Sequence, residues 1–131
     1  MKKKYFLDEL KSIELSLDKP LIVFLRGDLG SGKTTLSKHI FTNMLGITDE
    51  ITSPTYTYYN KYGENYHFDL YRLESYDDFF AIGGEEILDN NTGTIVIEWP
   101  DIIEKYYQPD IEITLTKTDN DDEREIEIIK K

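Results

Sequence analysis

Leu21-Ile22-Val23-Phe24-Leu25-Arg26-Gly27-Asp28-Leu29-Gly30-Ser31-Gly32-Lys33-Thr34 is the stretch whose reading decides the fold. Its first five residues are apolar without alternation, as in a parallel strand covered on both faces. From Gly27 to Thr34 the chain fits G-x-x-x-x-G-K-[ST] at every fixed position. Glycines let the backbone turn left-handed and come close to phosphate oxygens. Successive N–H groups then converge on one anion-sized hollow, and a helix starting near Lys33 adds the positive end of its dipole. In such a loop the Lys33 ammonium lies between β- and γ-phosphates and the Thr34 hydroxyl ligates Mg²⁺. The segment from Gly27 through Leu29, Gly30, Ser31 and Gly32 to Thr34 therefore predicts an ATP-binding site that works with magnesium.

Working outward, Leu36, Ile40, Met44 and Leu45 form an apolar helical stripe that Gly46 ends. Upstream, Phe6, Leu10, Ile13 and Leu17 fall at helical spacing and predict an amphipathic helix over about 4–17. Downstream, Tyr66, Phe68 and Leu70 alternate with polar residues, and Gly63 marks the turn between two strands. Residues 75–90 read as short helices broken at Gly83-Gly84. Thr94-Ile95-Val96-Ile97 is another buried strand, ending in Glu98-Trp99-Pro100. Alternating strands around Ile111, Ile113 and Leu115 and around Ile126 and Ile128 close the chain. The expectation is a single α/β domain over residues 1–131, with a mixed sheet that is parallel near the loop and antiparallel in its later strands.

A magnesium site in this architecture needs a carboxylate from the end of a neighbouring strand. Asp69 and Glu98 both qualify. The bland alternative is that each only marks where a strand meets water. Composition narrows the partners. The 131 residues carry a net charge of −11 and no cysteine. That excludes disulfides and thiolate chemistry and makes direct binding of DNA or RNA unlike what this chain would do. No apolar run is long enough for a bilayer, and the chain reads as cytoplasmic, with no membrane partner.

With Ser53-Pro54-Thr55-Tyr56-Thr57, His67-Phe68-Asp69-Leu70-Tyr71-Arg72-Leu73 and Ile97-Glu98-Trp99-Pro100 added to the loop, the chain resembles the TsaE (YjeE) family, the small bacterial ATPase of tRNA threonylcarbamoyladenosine biosynthesis. Gly83-Gly84-Glu85-Glu86 resembles the glycine-containing turn before that family's last core strand, and Arg124 the arginine near its C-terminus. The resemblance implies a P-loop NTPase-like three-layer domain. It implies that Gly30 to Thr34 bind the triphosphate, with Thr35 near the α-phosphate and Arg124 at the nucleotide. It further implies that Thr34 and Glu98 hold Mg²⁺, and that Asp69 orients the attacking water or a metal-bound one. Ser53-Pro54-Thr55 becomes a switch with Thr55 near the γ-phosphate. Arg72 anchors the loop after its strand or meets a partner, and Trp99 lies near the nucleotide or the partner face. The implied catalytic set is Lys33, Thr55, Asp69 and Glu98. The implied partners are TsaB and TsaD, with tRNA reached only through them at adenosine 37. The chain departs from the family in having about 20 residues before its first buried strand, so the adenine contacts do not transfer.

Rival functions have weaker support. A small-molecule kinase needs a lid with clamping arginines, and Arg26, Arg72 and Arg124 are widely spread. A guanine-nucleotide switch needs Asn-Lys-x-Asp, and Asn60-Lys61-Tyr62-Gly63 lacks the Asp. A non-hydrolysing ATP-binding module would keep the loop without using Asp69 and Glu98. Among single residues, His67 reads as a satisfied group beside the site and His39 as a surface residue on the helix after the loop. The tyrosines from Tyr56 to Tyr66 read as sheet packing and a protein interface. Asp119-Asn120-Asp121-Asp122 reads as a solvated turn, because the glycine and later glutamate of a calcium loop are missing.

Overall fold

A computed structural model describes residues 1–17 and 20–131. Seven strands form one sheet in the order β1-β7-β6-β2-β5-β4-β3. The strands are β1 (Lys2–Phe6), β2 (Leu21–Arg26), β3 (Tyr59–Tyr62), β4 (Asn65–Asp69), β5 (Thr94–Glu98), β6 (Ile111–Lys117) and β7 (Glu123–Lys130). β2 runs parallel to β5 and β6, and β4 parallel to β5. β7 is antiparallel to β6 and β1, and β3 to β4. The mixed sheet expected from the sequence is therefore present.

The period of two along each strand sorts the side chains between two cores. On one face Val23, Leu25, Val96, Ile113, Leu115 and Ile126 pack with Leu36, Ile40 and Phe41 of the helix after the loop. That helix is α1 (Lys33–His39), continued by a π-helical turn over Ile40–Met44. On the other face Phe24, Phe68, Ile95 and Ile97 pack with Phe79 and Leu88 of α2 (Tyr76–Ala81) and α3 (Gly84–Asp89). The result is three layers, helix–sheet–helix. The register aligns Leu25 of β2 with Glu98, and Glu98 with Asp69 of β4. Both carboxylates thus lie at the carboxyl edge of the parallel strands, level with the start of the loop.

The N-terminal segment corrects the sequence reading. Residues 4–17 are not an α-helix. Lys2–Phe6 pair with β7 as an edge strand, and Leu7–Ser12 form a 3₁₀ turn whose Glu9 side chain accepts from the Phe6 N–H at 3.1 Å. Phe6 is 45% exposed, while Ile13 is buried. A lysine-rich edge facing Glu125 and Glu127 blunts this side of the sheet against further pairing.

Gly84 is fixed by packing. A Cβ there would lie 2.3 Å from the Phe79 ring, and Phe79 is fully buried. Gly84→Ala is expected to cost about 1–3 kcal/mol from overpacking. Thermal unfolding checks it as a lower melting temperature, with nucleotide binding retained.

Candidate functional site

The loop between β2 and α1 turns on three glycines with positive φ, Gly27, Gly30 and Gly32, none of which can be replaced cheaply. Gly27 has φ 151°, and a Cβ there would meet the Leu115 carbonyl at 2.7 Å. Gly32 caps α1 with φ 104°, a conformation open to glycine at little cost. Behind the loop, Arg124 of β7 donates from Nε to the Ser31 carbonyl at 3.0 Å and from Nη2 to the Gly30 carbonyl at 3.3 Å. Its other amine binds the Asp121 and Glu123 carbonyls. This corrects the placement of Arg124 at the nucleotide: its donors are committed to backbone oxygens, and it does not line the cleft. It holds the shape of the loop from beneath. Gly27 and Ser31 also sit behind the lining, and the buried Ser31 hydroxyl has no hydrogen-bond partner among the described residues.

In front of the loop lies a cleft of about 490 Å³. Leu29, Gly30, Gly32, Lys33, Thr34 and Thr35 form its floor; Thr55, Asp69, Arg72, Glu98 and Trp99 are on its far side. Lys33 donates to the Gly27 carbonyl at 2.5 Å and the Asp28 carbonyl at 3.0 Å. Its ammonium lies 4.3 Å from the centre of the Trp99 ring. Burial pushes the Lys33 amine below its usual pKa, against the opposing pull of Glu98, Asp69 and Asp28. Trp99 holds φ 58°, a conformation rare for a non-glycine residue, and also packs against Tyr71 at 4.8 Å. Such strain gathers at functional sites, and here it turns the indole back over the lysine immediately after the Glu98 strand ends.

Glu98 is the best-held carboxylate of the cleft. Its Oε2 accepts from His67 Nε2 at 2.5 Å and from the Ser37 hydroxyl at 3.4 Å. Its Oε1 faces the Thr34 hydroxyl at 3.5 Å. Asp69 is committed differently: Oδ1 accepts from the Tyr71 N–H at 3.0 Å and Oδ2 from the Thr55 hydroxyl at 3.3 Å. Burial, with Glu98 adding to it, raises the Asp69 pKa above the ordinary carboxylate value, while the Tyr71 and Thr55 hydrogen bonds oppose the rise. The Ser53 hydroxyl bonds Thr55 at 2.7 Å, which ties the Ser53-Pro54-Thr55 segment to Asp69. The Arg72 guanidinium lies 4.6 Å from the Tyr56 ring, so Arg72 also braces that segment.

The Thr34 hydroxyl and the two carboxylates that line this cleft are an all-oxygen donor set, which suits a hard cation such as Mg²⁺. Glu98 Oε1, which accepts only a long bond from the Thr34 hydroxyl, makes Thr34 and Glu98 the pair that fits it directly, with Asp69 one strand away.

Thus Lys33, Thr34, Thr35, Leu29, Gly30, Gly32, Thr55, Asp69 and Glu98 come together as the sequence suggested. Ser37 was missed. Its signal was available: three and four residues after Thr34 and Lys33, it shares their face of α1. His39 corrects the reading of it as a surface group. It is buried, with Nε2 2.8 Å from the Ile13 carbonyl and Nδ1 bonded by the Asn43 amide, because α1 packs under the N-terminal segment.

Comparison with known proteins adds the family. The family model described as "Threonylcarbamoyl adenosine biosynthesis protein TsaE" matches residues 4–126. The chain is 39% identical over 115 residues to the tRNA threonylcarbamoyladenosine biosynthesis protein TsaE of Rickettsia conorii, covering 84% of this chain and 65% of that one. It is 38% identical over 109 residues to the protein of the same name from Bacillus subtilis, covering 80% and 66%. It therefore spans just under two-thirds of the length of these curated relatives. The crystal structure of Bacillus subtilis YdiB superposes with a TM-score of 0.67 at 29% identity, over 96% of this chain and 82% of that one.

Proposed function

The chain belongs to the TsaE family, and on that premise we propose that it binds and hydrolyses ATP with magnesium in support of tRNA N6-threonylcarbamoyladenosine formation at position 37, acting with TsaB and TsaD in the cytoplasm. The single observation that carries this reading is the convergence of Lys33, Thr34, Glu98 and Asp69 on one cleft at the carboxyl ends of β2, β5 and β4.

Each residue has a task that follows from its surroundings. The loop N–H groups and the α1 N-terminus bind phosphate oxygens. Lys33 leaves the Gly27 and Asp28 carbonyls to bridge the β- and γ-phosphates, exchanging two neutral acceptors for charged ones. Thr34 and Glu98 hold magnesium, which supplies charge neutralisation at the phosphates. Asp69, held by Thr55 and the Tyr71 N–H, orients the attacking water. Its raised pKa brings it closer to a general base's working range. Because Thr55 contacts Asp69, a change in the Ser53-Pro54-Thr55 segment reaches the catalytic carboxylate directly. The base has room in a second groove of about 490 Å³ between the 3₁₀ turn and α1, lined by Leu7, Leu10, Lys38 and Asn43 and sharing Thr35 with the cleft.

Among the described residues no helix is long and apolar enough to cross a membrane. With a net charge of −11, the chain meets tRNA through its partners. Arg26 and Arg124 are engaged with acidic groups and loop carbonyls respectively, which leaves Arg72, stacked on the Tyr56 ring at the edge of the cleft, as the one arginine lining it. With that arginine held on Tyr56, hydrolysis by the isolated protein should be slow, and faster with TsaB and TsaD. Phosphate release measured with and without both proteins tests this; equal rates would contradict it.

A further inference from the structure

His67 sits on β4 with its side chain wholly buried. It faces the α1 layer, its ring 5.5 Å from that of Phe41. Nε2 meets Glu98 Oε2 at 2.5 Å, and since a carboxylate only accepts, Nε2–H is the donor. Nδ1 is buried with no partner among the described residues. Leaving a buried polar atom unpaired costs stability, so an apolar residue would suit this core position better if packing alone mattered. Ser37 approaches the same carboxylate oxygen from α1, while its hydroxyl also bonds the Lys33 carbonyl at 2.9 Å.

We propose that His67 and Ser37 are positioning residues for magnesium: from β4 and α1 they hold Oε2 of Glu98, which fixes the carboxylate plane so that Oε1 is presented beside the Thr34 hydroxyl. His67 gives Oε2 the short bond, and the Ser37 hydroxyl, whose single proton is shared with the Lys33 carbonyl, gives it a weaker one from a second element. Rotation of the carboxylate would turn Oε1 away from Thr34 and leave His67 without its only partner among the described residues. Ser37 additionally links the carboxylate to the first turn of α1, so the helix that carries Thr34 and the strand that carries Glu98 are held in one register. This rests on the reading of Glu98 as the metal-facing carboxylate.

The test is calorimetric titration of magnesium chloride into protein saturated with the β,γ-imido analogue of ATP. His67→Phe keeps the ring and its contact with Phe41 but removes the donor. It is expected to weaken magnesium binding about ten- to hundredfold, the usual effect of losing an outer partner of a metal ligand. Binding of the analogue without metal stays as in wild type. His67→Gln, which restores an N–H donor, recovers most of the loss, which a merely structural role would not produce. Wild-type magnesium affinity in His67→Phe would overturn the proposal, as would equal losses in the Phe and Gln variants. If Glu98→Gln also binds magnesium normally, the underlying reading fails instead. Should His67→Phe not fold, the proton on His67 Nε2 is observed by NMR in the wild-type protein. It is expected far downfield, as for a short charge-assisted bond, and to move upfield in Glu98→Gln. No response to that substitution would equally overturn the proposal.

Discussion

Lys33→Ala is expected to abolish ATP binding as read by calorimetry, with the fold intact. The side chain makes no contribution to either apolar core. Its ammonium is already desolvated at the loop, bonded to two carbonyls and covered by Trp99. Removing it therefore leaves the triphosphate without the one cation placed inside the loop. Hydrogen bonds to charged groups contribute about 1.5–3 kcal/mol each. Losing a lysine that bridges two phosphates thus predicts a loss of about a hundredfold or more. The variant should still fold, because Lys33 belongs to neither apolar core, with a modest loss of thermal stability from the Gly27 and Asp28 carbonyls it leaves unpaired. Wild-type affinity in Lys33→Ala would remove the loop from the binding site.

Glu98→Gln is expected to separate binding from turnover. The amide keeps the size of the side chain and can still accept from His67, so nucleotide affinity without metal is retained. It loses the charge that faces Thr34, and magnesium-dependent phosphate release should fall about a hundredfold or more, as when a preorganised charge-stabilising group is deleted. Unchanged turnover would move the metal role to Asp69. The geometry argues against that outcome. Asp69 already spends one oxygen on the Tyr71 N–H and the other on Thr55, whereas Glu98 Oε1 faces only a hydroxyl that is itself a magnesium ligand in such loops.

The parts legible in the sequence are those set by local rules. The Gly27 to Thr34 pattern, the unbroken apolar run before it and the stripe after it fixed strand, loop and helix together. The position of Asp69 and Glu98 at strand ends gave their approach to the loop, because parallel strands bring their carboxyl ends to one edge. What could not be read depends on contacts distant in the chain. Phe6, Leu10, Ile13 and Leu17 have helical spacing, yet Lys2–Phe6 gain their hydrogen bonds from β7, more than a hundred residues on. Nothing local announces that partner, and it outweighs a weak periodicity over a short segment. The misreadings of His39 and Arg124 share this origin. His39 is buried because the N-terminal segment lies across α1. Arg124 is drawn beneath the loop because β7 runs beside β6, where its guanidinium meets the Ser31 and Gly30 carbonyls. A resemblance in motif order could place Arg124 near the nucleotide loop but not say which side of it.

The central claim is that the Gly27 to Thr34 loop, with Glu98, makes one magnesium-dependent ATP site. Titration of the wild-type protein with ATP, in magnesium and again after chelation, tests it most directly. One ATP bound per chain, with weaker binding once magnesium is removed, is the predicted result. No binding of ATP, or an affinity indifferent to magnesium, would contradict the account.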